Sequence, residues 1–96
     1  MGDYYTRSGE PMALNDWVKS FGDSDMKRVA LDQVGEAEVS TVWLGLDHSF
    51  GSGPPLIFET MIFGGERDGD QWRYPTEDTA RAGHERVVAE LRDRSA

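Results

Sequence analysis

Apolar side chains occupy both alternating sets of positions through 38–46 and 56–63, and the strand content of the chain is read from there. In 38–46, Val42, Leu44 and Leu46 point one way and Val39, Thr41 and Trp43 the other; in 56–63, Leu56, Phe58 and Ile62 oppose Ile57, Met61 and Phe63. Apolar residues on two faces suit central strands. Upstream, 27–34 (KRVALDQV) reads as a strand with Val29 and Leu31 on one face, ended by a turn at Gly35-Glu36. Downstream, 64–71 holds Asp68-Gly69, a hairpin signal, and 72–74 reads as a short edge strand.

The helices show a different period. Leu14, Trp17, Val18 and Phe21 recur at spacings of three and four, which predicts a short helix over 15–21 with Asn15 as N-cap and Gly22 as stop. So short a helix does not persist alone in water, so Trp17 and Phe21 must dock. A plain turn follows at 23–25. Thr76 opens a longer helix with Glu77 and Asp78 in its first turn and Arg92 and Arg94 near its end. Ala80, His84, Val87, Val88 and Leu91 share one side of it. Gly83 costs about 1 kcal/mol relative to Ala in a helix interior, which close approach of a sheet would offset.

The pattern gives an α+β fold: a four-stranded antiparallel meander with a short N-terminal helix and a longer C-terminal helix packed on the sheet. Residues 1–12, polar with Gly9 and Pro11, form an arm, with Tyr4 and Tyr5 placed to pack on the body; 13–94 form one domain. The long helix covers one face. The other, expected to carry Trp43, Ile57, Met61 and Phe63, calls for cover by the short helix, a partner or a second copy of the chain, as in a homodimer.

Charge narrows the function classes. Net charge is −8, with nine acids against four bases in residues 1–50 and nine against six in 51–96. That balance argues against direct binding of a nucleic-acid backbone, which needs a basic face. It leaves an acidic DNA mimic open, or charge that serves solubility. Cys is absent, which excludes a thiol nucleophile and a disulfide framework. The opening MGDYYTRSGE is too polar for a signal peptide, and no apolar run approaches the roughly 20 residues of a membrane span, so neither secretion nor a membrane is expected.

Candidate chemistry is sparse. Asp47 and His48 stand where a strand opens into the loop SFGSGPP, whose Gly51 and Gly53 could admit an anion, but the loop has no Lys or Arg. His48, His84, Asp47 and Glu59 have no spacing that demands a metal, and no cofactor is expected. Glu59, inside an apolar strand, requires a partner, for which Arg73 is placed. Ser40, Ser49 and Ser52 lack a nucleophile-elbow context. Tyr4, Tyr5, Phe50 and Trp72, in loops or at edges, are candidates for recognition of another protein.

The motif VSTVWLGLDHSFGSGPPLIFETMIFGG, followed by YPTEDTARAGHERVVAEL, resembles a family of short uncharacterised proteins carried by phages and prophages of actinobacteria. The likeness extends upstream through NDWVKSF and RVALDQVGE. It implies a small accessory product acting in a bacterial host's cytoplasm and transfers no catalytic residue. The excess of Arg over Lys (eight to two) and of Val over Ile (seven to two) agrees with a GC-rich genome. The leading expectation is a non-enzymatic protein that binds a host or phage protein through Trp43, Asp47, His48, Phe50 and Trp72. The alternatives are a small-ligand or metal-binding domain or enzyme using the Asp47-His48 loop, and an acidic DNA mimic.

Overall fold

A computed structural model of the chain describes residues 4–20, 22, 24–47 and 53–95. The elements are α1 (Leu14–Ser20), α2 (Ser24–Lys27), β1 (Arg28–Val34), β2 (Ala37–Trp43), β3 (Phe58–Phe63), β4 (Gln71–Tyr74) and α3 (Glu77–Ser95). The strands form one antiparallel sheet in the order β1-β2-β3-β4, and α3 packs across all four. The α+β meander expected from the sequence is the observed fold. The single helical turn α2 stands where a plain turn was expected; Asp23 lies outside the described residues.

Register assigns the faces. Thr41 lies opposite Ala30 and Thr60, Val39 opposite Asp32 and Ile62, and Trp43 opposite Phe58. Phe58 in turn lies opposite Tyr74, and Thr60 opposite Trp72. Residues directly opposed across antiparallel strands project to the same side, so these form one face. It is the covered face, where Val39, Thr41, Trp43, Phe58, Thr60 and Ile62 are buried. The helix meets it with Ala80, His84, Val87 and Val88, all buried, and with Leu91 half-buried.

Trp43 therefore does not share a face with Met61 and Phe63, as expected. Alternation within a strand says which residues go together, but not which set of the next strand joins them when both sets are apolar. Ile57 departs for another reason. Its carbonyl accepts from both Leu44 N–H (2.7 Å) and Gly45 N–H (3.3 Å), so regular pairing stops at Phe58. Ile57 then turns into the same cluster as Trp43 and Phe58. Both central strands are consequently shorter than the apolar runs that announced them. At the outer strand, Arg28 opposes Val42 while Ala30 opposes Thr41, so Val29 is the extra residue of a β-bulge and is buried.

The far face of the sheet carries Leu31, Ser40 and Met61 in one row across three strands, with Val42 and Phe63 on neighbouring rows. Glu59 lies on this face, paired with Arg73 through Nε to Oε2 at 3.1 Å, as its place in an apolar strand required.

One end of the core is closed by aromatic residues. Residues 4–12 are not an extended arm. They fold back on themselves, with Met12 N–H donating to Tyr4 O (2.8 Å) and Thr6 N–H to Glu10 O (2.8 Å), and Tyr4 bridges to Leu46. The Trp43 indole N–H donates to Tyr5 O (3.0 Å) and the Trp17 indole to Leu44 O (2.9 Å). The Tyr4 and Trp17 rings meet at 4.8 Å. Gly45 permits this crowding: its φ is +74°, and a Cβ there would overlap both Trp17 and Trp43. Helix α1 starts at Leu14, so Asn15 lies in its first turn and does not cap it. Its buried side centres on Trp17 and Ser20 and leaves Leu14 and Val18 exposed, because the Trp17 anchor rotates the helix away from the expected face. Phe21 lies outside the described residues.

Helix α3 is capped as its sequence foretells. Thr76 Oγ1 accepts from Thr79 N–H (3.1 Å), and Thr79 Oγ1 accepts in return from Thr76 N–H (3.2 Å). Gly83 is where Tyr74 rests on the helix: a Cβ there would overlap the phenol ring and its hydroxyl. The Tyr74 hydroxyl is buried with no hydrogen-bond partner among the described residues. Gly83→Ala is expected to destabilise the fold by about 1–3 kcal/mol despite the better helix propensity of Ala, because the overlap forces strand and helix apart. Tyr74→Phe alone is expected to be neutral or stabilising by up to about 1 kcal/mol, since it removes a buried, unpaired polar atom. Urea unfolding of both variants checks the two signs.

Candidate functional site

Three residues that look misplaced satisfy one another. Thr41 and Thr60 interrupt apolar strands, and His84 sits on the apolar side of α3. His84 Nε2 lies 2.7 Å from Asp32 Oδ2, and Nδ1 lies 2.7 Å from Thr41 Oγ1, which lies 2.5 Å from Thr60 Oγ1. An ionised carboxylate only accepts, so with a neutral ring Nε2 carries the hydrogen and donates to Asp32. Nδ1 then accepts from the Thr41 hydroxyl, which accepts from the Thr60 hydroxyl. The chain links α3 to β1, β2 and β3, and every member has a partner.

A carboxylate, a histidine and a hydroxyl in line is also the order of groups that activates a nucleophile. Here Thr41 and Thr60 are 0 % exposed, so neither hydroxyl meets solvent or substrate. The chain surfaces only at Asp32, whose side chain is 44 % exposed on the rim of a shallow concavity of about 330 Å³ bordered by Glu85, Val88 and Arg92. The geometry of the two hydroxyls is that of a buried polar connector.

Of the four residues weighed as metal ligands, His84 and Glu59 lie on opposite faces of the sheet, and His48 lies outside the described residues. His84 is inside the covered face and Glu59 is on the far one, engaged by Arg73. Among the described residues no group of three or more His, Asp or Glu side chains could hold a metal ion.

The five residues expected at a recognition surface are placed unequally. Trp43 is 1 % exposed and belongs to the core, so it is not surface as the chain stands. The physical reason is the register that sets it opposite Phe58. Asp47 is half-buried, and its Oδ1 accepts from Leu56 N–H (3.0 Å), which ties the two ends of the Gly/Pro loop together. His48 and Phe50 lie outside the described residues. Trp72 is half-buried beneath Arg67, whose guanidinium carbon stands 5.4 Å from the ring centroid. Arg67 also donates to Asp70 (3.0 Å) and Glu90 (3.1 Å), and these bonds hold its pKa above the ordinary arginine value.

The surface that does present apolar side chains is the far face of the sheet, where Leu31 is 43 % and Phe63 48 % exposed. Sequence reasoning placed Met61 and Phe63 on an uncovered face but assigned Leu31 with Val29 to one face. The bulge at Val29 separates them, and no local signal announces it. Among the described residues, acids occur on every part of the fold, including Glu38 and Glu59 on the sheet and Glu66, Asp68 and Asp70 in the β3–β4 loop, and Asp32, Glu85 and Asp93 border one concavity.

One carboxylate is tuned by its contacts. Glu77 accepts from Arg7 Nε (3.0 Å) and from Arg81 Nη2 (2.9 Å). The Arg7 hydrogen bond is the largest influence and, with help from Arg81 and against partial burial, holds the Glu77 carboxyl below its ordinary pKa. No helix among the described residues is long and apolar enough to cross a membrane. Compared with protein-family models, curated proteins and solved structures, the chain matches none.

Two outcomes follow from these contacts. Thr41→Val strands His84 Nδ1 and the Thr60 hydroxyl in the interior and is expected to cost about 1–3 kcal/mol. Asp32→Ala should cost less, because water can replace an acceptor at the exposed end of the chain. Chemical denaturation of both variants tests the order. For Glu77, the depressed folded-state pKa means that its contribution is present above the ordinary glutamate range and is lost as pH falls through the folded value. The melting-temperature difference between wild type and Glu77→Gln should therefore be flat at neutral pH and shrink in acid; a gap that widens on acidification would contradict the pairing.

Proposed function

We propose that the chain is a non-enzymatic accessory protein of an actinobacterial phage or prophage, acting in the host cytoplasm by binding a host or phage protein. The phage context rests on the family resemblance of the 39–65 motif. The binding mode rests on one observation: Leu31, Ser40 and Met61 form an uncharged row across the far face of the sheet, with exposed Phe63 beside it. Interface cores are depleted of charge relative to the surrounding surface. On a chain of net charge −8 the row is uncharged, and the rows beside it mix Val42 and Phe63 with Arg28, Glu38, Glu59 and Arg73, as an interface core with a charged rim does. The partner that fits is a protein offering an apolar patch with a basic rim, the rim meeting acids such as Glu38 at the edge of the row. Asp47 and Trp72 are assigned to the periphery, and Leu31, Met61 and Phe63 take the centre in place of buried Trp43.

The test is affinity capture with the purified chain at micromolar concentration, from host lysate and from expressed phage proteins, beside a Leu31→Glu/Phe63→Glu variant. A stoichiometric protein retained by wild type and lost by the variant is the expected result. Capture of nothing, or capture indifferent to both substitutions, refutes the proposal. Sedimentation of the chain alone at the same concentration separates a foreign partner from a second copy: a dimer disrupted by the same variant would make the chain its own partner and overturn the assignment.

A further inference from the structure

Over the Trp43 end of the core, α1 and the segment 4–12 add their cover to that of Ala80 on α3. The segment is self-contained. Thr6 N–H donates to Glu10 O (2.8 Å), Gly9 N–H to Thr6 O (2.9 Å) and Met12 N–H to Tyr4 O (2.8 Å), so these bonds survive if it lifts away whole. Among the described residues, beside the bridge of Tyr4 to Leu46, three polar links hold it to the body. Tyr5 N–H donates to Gly45 O (2.7 Å), and the Trp43 indole N–H donates to Tyr5 O (3.0 Å). The third link is Arg7. It places Nε and Nη2 on the two oxygens of Glu77 (3.0 and 2.9 Å) and Nη1 on Met26 O (2.9 Å). Both partners of the pair are partly exposed, so salt and water reach it. Glu77 keeps Arg81 when Arg7 leaves, so release strands no carboxylate.

We propose that residues 4–12 are a strap that opens as a unit from an intact sheet, with the Arg7–Glu77 fork as its latch, and that opening bares the Trp43 indole. Local opening of this kind needs a low-cost release; here the apolar hold is limited to Tyr5 and Met12 against the core and Tyr4 on Trp17, and the polar hold centres on a solvent-reached latch. Closed, the strap hides the largest side chain of the core; open, it presents an aromatic ring and the seats of Tyr5 and Met12 at the surface. The device stands independently of the partner proposed for the far face.

Hydrogen exchange of the full chain, followed by NMR, tests it. The Trp43 indole N–H and the Tyr5 amide report the strap; the amides of Ile57 and Ile62, which donate to Tyr74 O and Asp70 O, report the sheet. Arg7→Gln is expected to speed exchange of the two strap groups about five- to tenfold, the effect of losing a well-formed forked ion pair, and to leave the sheet amides unchanged. Unchanged strap groups would show that Arg7 is no latch. Acceleration of all four groups together would show that the strap opens only when the whole fold does. Should the variant fold poorly, wild type taken from low salt to about 1 M salt must show the same selective acceleration, because salt screens an exposed pair; uniform or absent acceleration there overturns the proposal equally.

Discussion

His84 joins one helix to three strands through hydrogen bonds that leave no member unpaired: Asp32 on β1, Thr41 on β2 and, through it, Thr60 on β3. A small α+β core of this kind is otherwise held by apolar contact, which is strong but indifferent to sliding. The polar chain is not indifferent. It is satisfied only when α3 stands at one height along the sheet and when β2 and β3 are paired with Thr41 beside Thr60. A slip of one residue in that pairing would turn a hydroxyl toward solvent and leave the imidazole nitrogen without a partner, in an interior where an orphaned polar atom costs about 1–3 kcal/mol. The chain thus adds registration to a core that hydrophobicity alone would leave loosely specified.

Around this connector the molecule is organised by unequal cover. One sheet face lies under α3 and is buried; the other carries an uncharged row, Leu31, Ser40 and Met61, between rows that hold Arg28, Glu38 and the lateral ion pair of Glu59 with Arg73. The two ends differ as well. At the Trp43 end, two indole N–H groups each find a backbone carbonyl, so the aromatic rings are fixed by direction as well as by contact. At the β3–β4 end, Arg67 gathers Asp70, Glu90 and the Trp72 ring and fastens the loop to the helix. These are surface interactions, each modest, but they tie otherwise exposed turns to the body at places where no strand or helix could do so.

Much of this was legible in the chain. Four strands, the capped C-terminal helix, its apolar side, the Glu59–Arg73 pair and the close approach at Gly83 all follow from local patterns, because caps, alternation and helical periodicity are properties of neighbouring residues. What escaped depends on residues far apart. The face occupied by Trp43 is decided by its pairing with Phe58, and alternation is silent on that. Ile57 and Val29 are displaced by irregularities of pairing. The strap was hidden because its internal fold rests largely on main-chain hydrogen bonds, and its anchors, Glu77 and Gly45, lie tens of residues away. The polar chain did leave a trace: one histidine on an apolar helix side and two threonines inside apolar strands are three local misfits, and misfits that can satisfy one another are a reason to place them together. For the recognition surface the trace was fainter, since an exposed leucine or phenylalanine has no pattern of its own.

The bulge at Val29 has a bearing on how this protein behaves when concentrated. The outermost strand is seven residues long and would be a natural template for edge-to-edge stacking into fibrils. It carries two obstacles to that growth: the kink of the extra residue near its beginning, and the Asp32 carboxylate turned toward the helix side, where an added strand would meet charge. The residue that completes the internal hydrogen-bonded line therefore also sets a carboxylate at the β1 border of the sheet, a placement that disfavours edge-to-edge pairing.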